Sequence, residues 1–188
     1  MIIPSDLIVD DHKHLVSVTR ARKPLIEMLQ KSEGKTHLEI GSRIGASAII
    51  ASGYTESITC IDPMESLGPV PETEGVMYEL KDLGIEKYFW LNMDRWGITD
   101  KVELIVALSF PFPADLEDRT WDTAFVDGIH TVEGMYQDMK SLEHRINIAM
   151  IIDDNPHNAV ERFLGETDLW EQRTPMARSA VTLWRKDA

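Results

Sequence analysis

Two apolar runs in this sequence end in the same way, and that shared ending narrows the folds open to the chain more than any other feature. Ala124–Val126 runs into Asp127, Gly128 and His130 before a helix-like pattern begins, and Ile148–Ile152 runs into Asp153, Asp154 and Asn155. Further strand-like runs occur at His37–Ile40, Ser57–Ile61, Val102–Leu108 and Ser179–Trp184, and the first of the two opening runs extends back to Trp121. Helix-compatible stretches, Val16–Gln30, Ala46–Ser52, Glu74–Asp94, Thr131–His144 and Asn158–Leu164, fall between most of them. Such alternation predicts βαβ units, and hence an α/β fold with a mostly parallel sheet and helices on both faces. Glu65–Thr73, with two prolines, a glycine and acids, reads as a loop; Gly165–Arg178 has room for a short strand around Trp170–Arg173.

Parallel sheets of this kind bind ligands beyond the carboxyl ends of their strands, where loops converge and helix N-termini offer free N–H groups. Glu39, Asp62, Asp127, Asp153 and Asp154 each stand at or just past such an end. The fold would therefore gather scattered acids on one rim, although any single one could merely cap the next helix. The helix over Thr131–His144 is the clearest: Val132, Met135, Tyr136, Met139 and Leu142 form one apolar stripe, with Glu133, Gln137, Asp138 and Lys140 expected largely on the other side.

A chain of 188 residues suits one domain with a single core. It is expected to divide into an N-terminal helical arm or lid over residues 1–35 and a Rossmann-like core over residues 36–188. The formal charge of −13 and the lack of a Lys/Arg cluster argue against nucleic acid as partner. No segment approaches the apolar length needed to span a membrane, and the acidic start MIIPSDLIVDDHKH is unlike a signal peptide, so no membrane partner is expected. The lone Cys60 cannot form an internal disulfide, which fits a cytoplasmic setting. The five tryptophans are expected to pack in the core or at its edges.

HLEIGSRIGAS has the order strand, acid, glycine, glycine, helix, and the next strand ends in Asp62 about twenty residues later. Glycines at such a turn permit positive φ and a close backbone approach to a nucleotide-like ligand, and the strand-end carboxylate can accept ribose hydroxyls. Arg43 stands where a dinucleotide fingerprint would need its middle glycine, and no G-K-[ST] follows. A nucleoside ligand without a pyrophosphate at this turn remains, of which S-adenosylmethionine is the common one.

In the combined order of these motifs the sequence resembles the class I S-adenosylmethionine-dependent methyltransferases, and more narrowly the small-molecule and sugar O-methyltransferases related to macrocin O-methyltransferase. LEIGSRIGAS, CIDPME, NMDRWGITDKVELIVALS, FVDGIHTVEGMYQD and MIIDDN followed by AVERFL carry the likeness, which spans roughly Thr36 to Leu164. It implies a seven-stranded sheet whose last strand, Ser179–Trp184, runs antiparallel. It further implies cofactor binding by the first turn (Glu39, Gly41, Ser42, Gly45, Ser47), by Asp62 and Pro63 at the ribose, by Ser109 near the adenine, and by Asp127. Metal-dependent members place an acid after the fourth strand and an acid pair or Asp-Asn after the fifth. Asp127, Asp153, Asp154 and Asn155 match those places and would hold Mg²⁺ through oxygen ligands. The acceptor would be a small hydroxylated molecule, a sugar or a natural product, with a homodimer as the assembly common to the fold.

Three departures accompany the likeness. Ile129 stands where sugar methyltransferases often carry a second acid as general base, which leaves His130, with Asp127, as the catalytic candidate or else as a loop anchor. HRINIAM replaces a Pro-Gly-Gly turn, with Asn147 expected to adopt the left-handed conformation there. Val106-Ala107-Leu108 lacks an acid for the adenine amino group. Two alternatives stay open on the residues alone: a binding or regulatory module without chemistry, and a metal-independent methyltransferase.

Overall fold

The computed structural model describes residues 18–65, 84–154, 157–173 and 180–188. Its elements are α1 (Val18–Ser32), β1 (Thr36–Ile40), α2 (Ala46–Ala51), β2 (Ser57–Ile61), α3 (Ile85–Arg95), β3 (Val102–Ile105), β4 (Trp121–Val126), α4 (Val132–Leu142), β5 (Ile146–Asp153), α5 (His157–Gly165), β6 (Trp170–Gln172) and β7 (Ala180–Arg185). The seven strands form one sheet in the order β3-β2-β1-β4-β5-β7-β6. β1 to β5 run parallel, β7 pairs antiparallel with β5, and β6 pairs antiparallel with β7. The α/β expectation, with its mostly parallel sheet and antiparallel last strand, is met.

Strand alternation divides the core in two. Cys60, Phe125, Ala149 and Ile151 point into a cluster with Leu25, Met28 and Leu29 of α1, Ile49 of α2 and Phe89 and Met93 of α3. Leu38, Ile40, Ala124, Val126, Met150 and Ile152 point the other way, against Met135, Met139 and Leu142 of α4 and Val160 and Phe163 of α5. The helices thus cover both faces, as buried parallel strands require. Trp121, Trp170 and Trp184 are buried in these clusters, and Trp90 and Trp96 pack partly buried against the first.

Three local readings need correcting. β3 stops at Ile105 instead of running to Leu108, and Val106 and Leu108 are exposed; among the described residues the edge strand has no partner on its outer side to extend the ladder. Asn147 lies inside β5, is not among the residues with positive φ, and bonds the Asp122 side chain, so no left-handed turn forms there. Asp138 sits on the buried face of α4, not the polar one, at 2% exposure. The expected loop Glu65–Thr73 beyond Glu65, the first ten residues of the expected helix Glu74–Asp94, and His12 and His14 lie outside the described residues.

Candidate active site at the carboxyl edge of the sheet

Ladder register levels four strand ends. Ile40 pairs with Ile61 on one side and Val126 on the other, and Val126 pairs with Ile152. The next residues along, Gly41, Asp62, Asp127 and Asp153, therefore leave the sheet at one height. The chain runs from β1 to β2 on one side and returns with β4 on the other, so the gap between β1 and β4 is the topological switch point where such sheets open a crevice.

The first turn is tightly built. Gly41 has φ 84°, and a Cβ there would lie 2.0 Å from the Asp127 carbonyl oxygen, so only glycine lets the two turns touch. Gly45, also at φ 84°, leaves room for Met93, whose Cε would stand 2.2 Å from an added Cβ. The Asn92 side chain donates to the Ile44 carbonyl at 3.0 Å, so α3 clamps the turn from outside. Arg43 is left-handed at φ 47°, and its N–H donates to Asp62 Oδ2 at 2.8 Å while the Met64 N–H donates to Asp62 Oδ1 at 2.6 Å. Two backbone donors fix the Asp62 carboxylate; burial nevertheless outweighs them and raises its pKa. Pro63 follows, half-buried, and Ser42 is buried within the turn.

Glu39 lies beneath this turn with no exposure. Its Oε2 accepts a hydrogen bond from Ser47 Oγ at 3.1 Å, whereas Oε1 has no hydrogen-bond partner and faces His37 Nε2, equally without one, at 3.8 Å. The other nitrogen of His37 contacts Thr123 Oγ1 at 2.8 Å. Sequence reasoning missed His37 here, although positions 37 and 39 share one face of a strand by period-two alternation. Burial, then the charge of Glu39, pushes the nearby Cys60 thiol well above its ordinary pKa, so it is an inert core residue.

The second half of the site comes from the ends of β4 and β5. Thr131 caps α4, its hydroxyl accepting the Gly134 N–H at 3.1 Å, so only Gly128, Ile129 and His130 separate Asp127 from the cap. That short loop swings the His130 ring between two carboxylates: Nε2 lies 3.9 Å from Asp127 Oδ1, and Nδ1 lies 3.8 Å from Asp154 Oδ2. Ligand atoms of Asp127, His130 and Asp154 all fall within 4.8 Å of one another. Asp154 holds its place with φ 45°, a conformation uncommon outside glycine, and its N–H donates to Asp153 Oδ1 at 2.9 Å. Asp153 is thereby spent partly on the turn and does not join the group. Asn155 lies outside the described residues.

Burial raises the Asp127 pKa well above the carboxylate range, and the charges of Asp153, Asp154 and Glu39 add to the effect against Arg43. Crowded carboxylates of this kind are relieved by a cation or by a proton. One imidazole and two carboxylates form a donor set that a divalent ion accepts. Ser109, expected near a nucleoside base, donates its hydroxyl to Asp138.

A family model described as a methyltransferase domain matches residues 38–154. No curated protein matches the sequence. Among solved structures, an O-methyltransferase from Bacillus cereus in complex with SAH superposes with a TM-score of 0.64 at 16% identity, over 93% of this chain and 84% of that one. An SAH-bound methyltransferase of Podospora anserina gives 0.58 at 18% identity, over 87% and 76%. An rRNA methylase from Streptococcus thermophilus gives 0.60 at 12% identity, over 90% and 99%. At these identities the likeness is one of fold.

Proposed function

The chain belongs to the methyltransferase-domain family, and from that membership we propose that it moves the methyl group of S-adenosylmethionine to a hydroxyl of a small acceptor, a sugar or natural product of the kind handled by relatives of macrocin O-methyltransferase. The observation that carries the reading is the contact between Gly41 and the Asp127 backbone. A glycine-only approach joins the nucleoside-type turn to the acid rim, so a ligand on one lies against the other.

The residues fit the cofactor. Glu39 keeps a buried oxygen without a hydrogen-bond partner below the turn, suited to the ammonium end, and Asp62 presents a carboxylate already oriented by two N–H groups for ribose hydroxyls. Bound there, the cofactor would supply a sulfonium methyl, already a good electrophile. What the chain must add is orientation and deprotonation of the acceptor. Asp127 and Asp154 would hold a divalent cation, Mg²⁺ or Mn²⁺. The ion would draw acceptor oxygens to the rim and lower the affinity of the reacting hydroxyl for its proton. His130, half-exposed beside both acids, is placed to take that proton.

A metal-free version uses the same three side chains, with His130, placed between Asp127 and Asp154, taking the proton directly. The net charge of −13 favours a small acceptor over a nucleic acid. Calorimetric titration with S-adenosylmethionine tests the proposal, and absence of heat at millimolar ligand contradicts it. Activity against hydroxylated acceptors that vanishes in chelator and returns with Mg²⁺ or Mn²⁺ supports the cation, while full activity in chelator supports the metal-free version.

A further inference from the structure

One buried carboxylate takes no part in the chemistry described above. Asp138 lies on α4 between Met135 and Leu142, which are both buried against the sheet, and is 2% exposed. Burial outweighs its hydrogen bond from Ser109 and lifts its pKa to about 6. An asparagine of the same shape would fill this position without burying a charge. Held here, the acid touches two loops that share no ladder.

The first loop leaves β3, and its Ser109 hydroxyl donates to the Asp138 carboxylate. The second leaves β4: Asp138 Oδ2 lies 3.0 Å from where a Cβ on Gly128 would stand, so the carboxylate rests against the turn joining Asp127 to His130. β2 and β1 lie between β3 and β4 in the sheet, so no direct ladder joins the strands that these two loops leave. A side chain rising from beneath both of them can join the loops themselves.

We propose that Asp138 is a positioning residue, tying the wall that follows β3 to the turn that follows β4 so that the cofactor side and the acid rim of the pocket are set as one unit. The assignment rests on the proposed cofactor. It separates Ser109 from direct cofactor binding and gives its hydroxyl a partner in the protein instead.

Calorimetric titrations with SAH and with Mn²⁺, run on the wild type, Asp138→Ala and Asp138→Asn, test it. Asp138→Ala is expected to bind both probes at least tenfold more weakly although it touches neither, and Asp138→Asn, which keeps the length and the acceptor oxygen, to bind them within twofold of wild type. A merely structural role would lower the melting temperature of Asp138→Ala and leave both affinities intact in the folded protein; that result overturns the tie. If Asp138→Ala does not fold, Asp138→Ser, too short to reach both loops, is read by the same criteria. A wild type that fails to bind SAH overturns the cofactor reading and the tie with it. Wild-type binding with an unaltered short variant overturns the tie alone.

Discussion

The two halves of the pocket are built by opposite means. At the first turn, backbone does the work: Gly41 and Gly45 take positive φ, two N–H groups hold Asp62, and α3 clamps the turn through Asn92 and Met93. At the acid rim, side chains stand 3.8 to 3.9 Å apart without closing hydrogen bonds, His130 and Asp154 are half-exposed, and like charges crowd Asp127. The first half is finished before any ligand arrives. Under the proposed function the second would be completed by what binds, so that a common cofactor and a particular acceptor divide one site.

The largest effect should come from breaking the seam between the halves. Gly41→Ala would drive a Cβ into the Asp127 carbonyl at 2.0 Å and impose a disfavoured φ, so a loss of at least about 3 kcal/mol in urea unfolding is expected, with no SAH binding. A variant that unfolds like wild type would show that the halves do not touch as described. Asp154→Ala attacks the rim alone. Methyl transfer should fall by roughly a hundredfold or more while SAH affinity stays within about twofold; a matching loss of SAH affinity would mean the halves are not separable.

Much of this division was legible in the sequence, because glycines, strand-end acids and period-two alternation are local signals. The order of elements, the strand-end positions of Asp62 and Asp127 and the short D-G-I-H loop could all be read directly. Other features depended on partners far along the chain. Asp138 looked like a polar-face residue because it is an acid, yet its spacing from Met135 and Leu142 is that of the buried stripe, and only the two loops it meets explain why an acid is there. The Asp153 and Asp154 pair could not be resolved into one turn-forming residue and one facing His130 without the left-handed backbone at Asp154. His37 was read only as part of a strand, since nothing local shows a buried histidine facing Glu39.

Asp138 also sharpens the comparison through pH. Its folded pKa of about 6 lies above the unfolded value of 3.8, so the stability it contributes is present below about pH 4, falls as pH rises to about 6, and stays lost above. At pH 8 the ionised acid should cost about 2 to 3 kcal/mol. Asp138→Asn should therefore be more stable than wild type at pH 8 by an amount of that order, with a flatter profile between pH 4 and 6. A variant less stable than wild type at pH 8 would show that the charge is compensated. The smallest effect is that of the cation: at ten times its Kd, Mn²⁺ should add about 1.4 kcal/mol, roughly 4 °C in Tm, and Asp154→Ala should abolish the shift.

Under the proposed function the ends of β4 and β5 deliver their carboxylates to a single cation beside the bound nucleoside. A crystal of the protein grown with SAH and Mn²⁺ tests it most directly through anomalous scattering. One manganese peak is expected within about 2.3 Å of oxygens from both Asp127 and Asp154, next to SAH seated on the Gly41 turn. SAH on that turn with no manganese between the two carboxylates, or manganese bound elsewhere on the acidic surface, would contradict it.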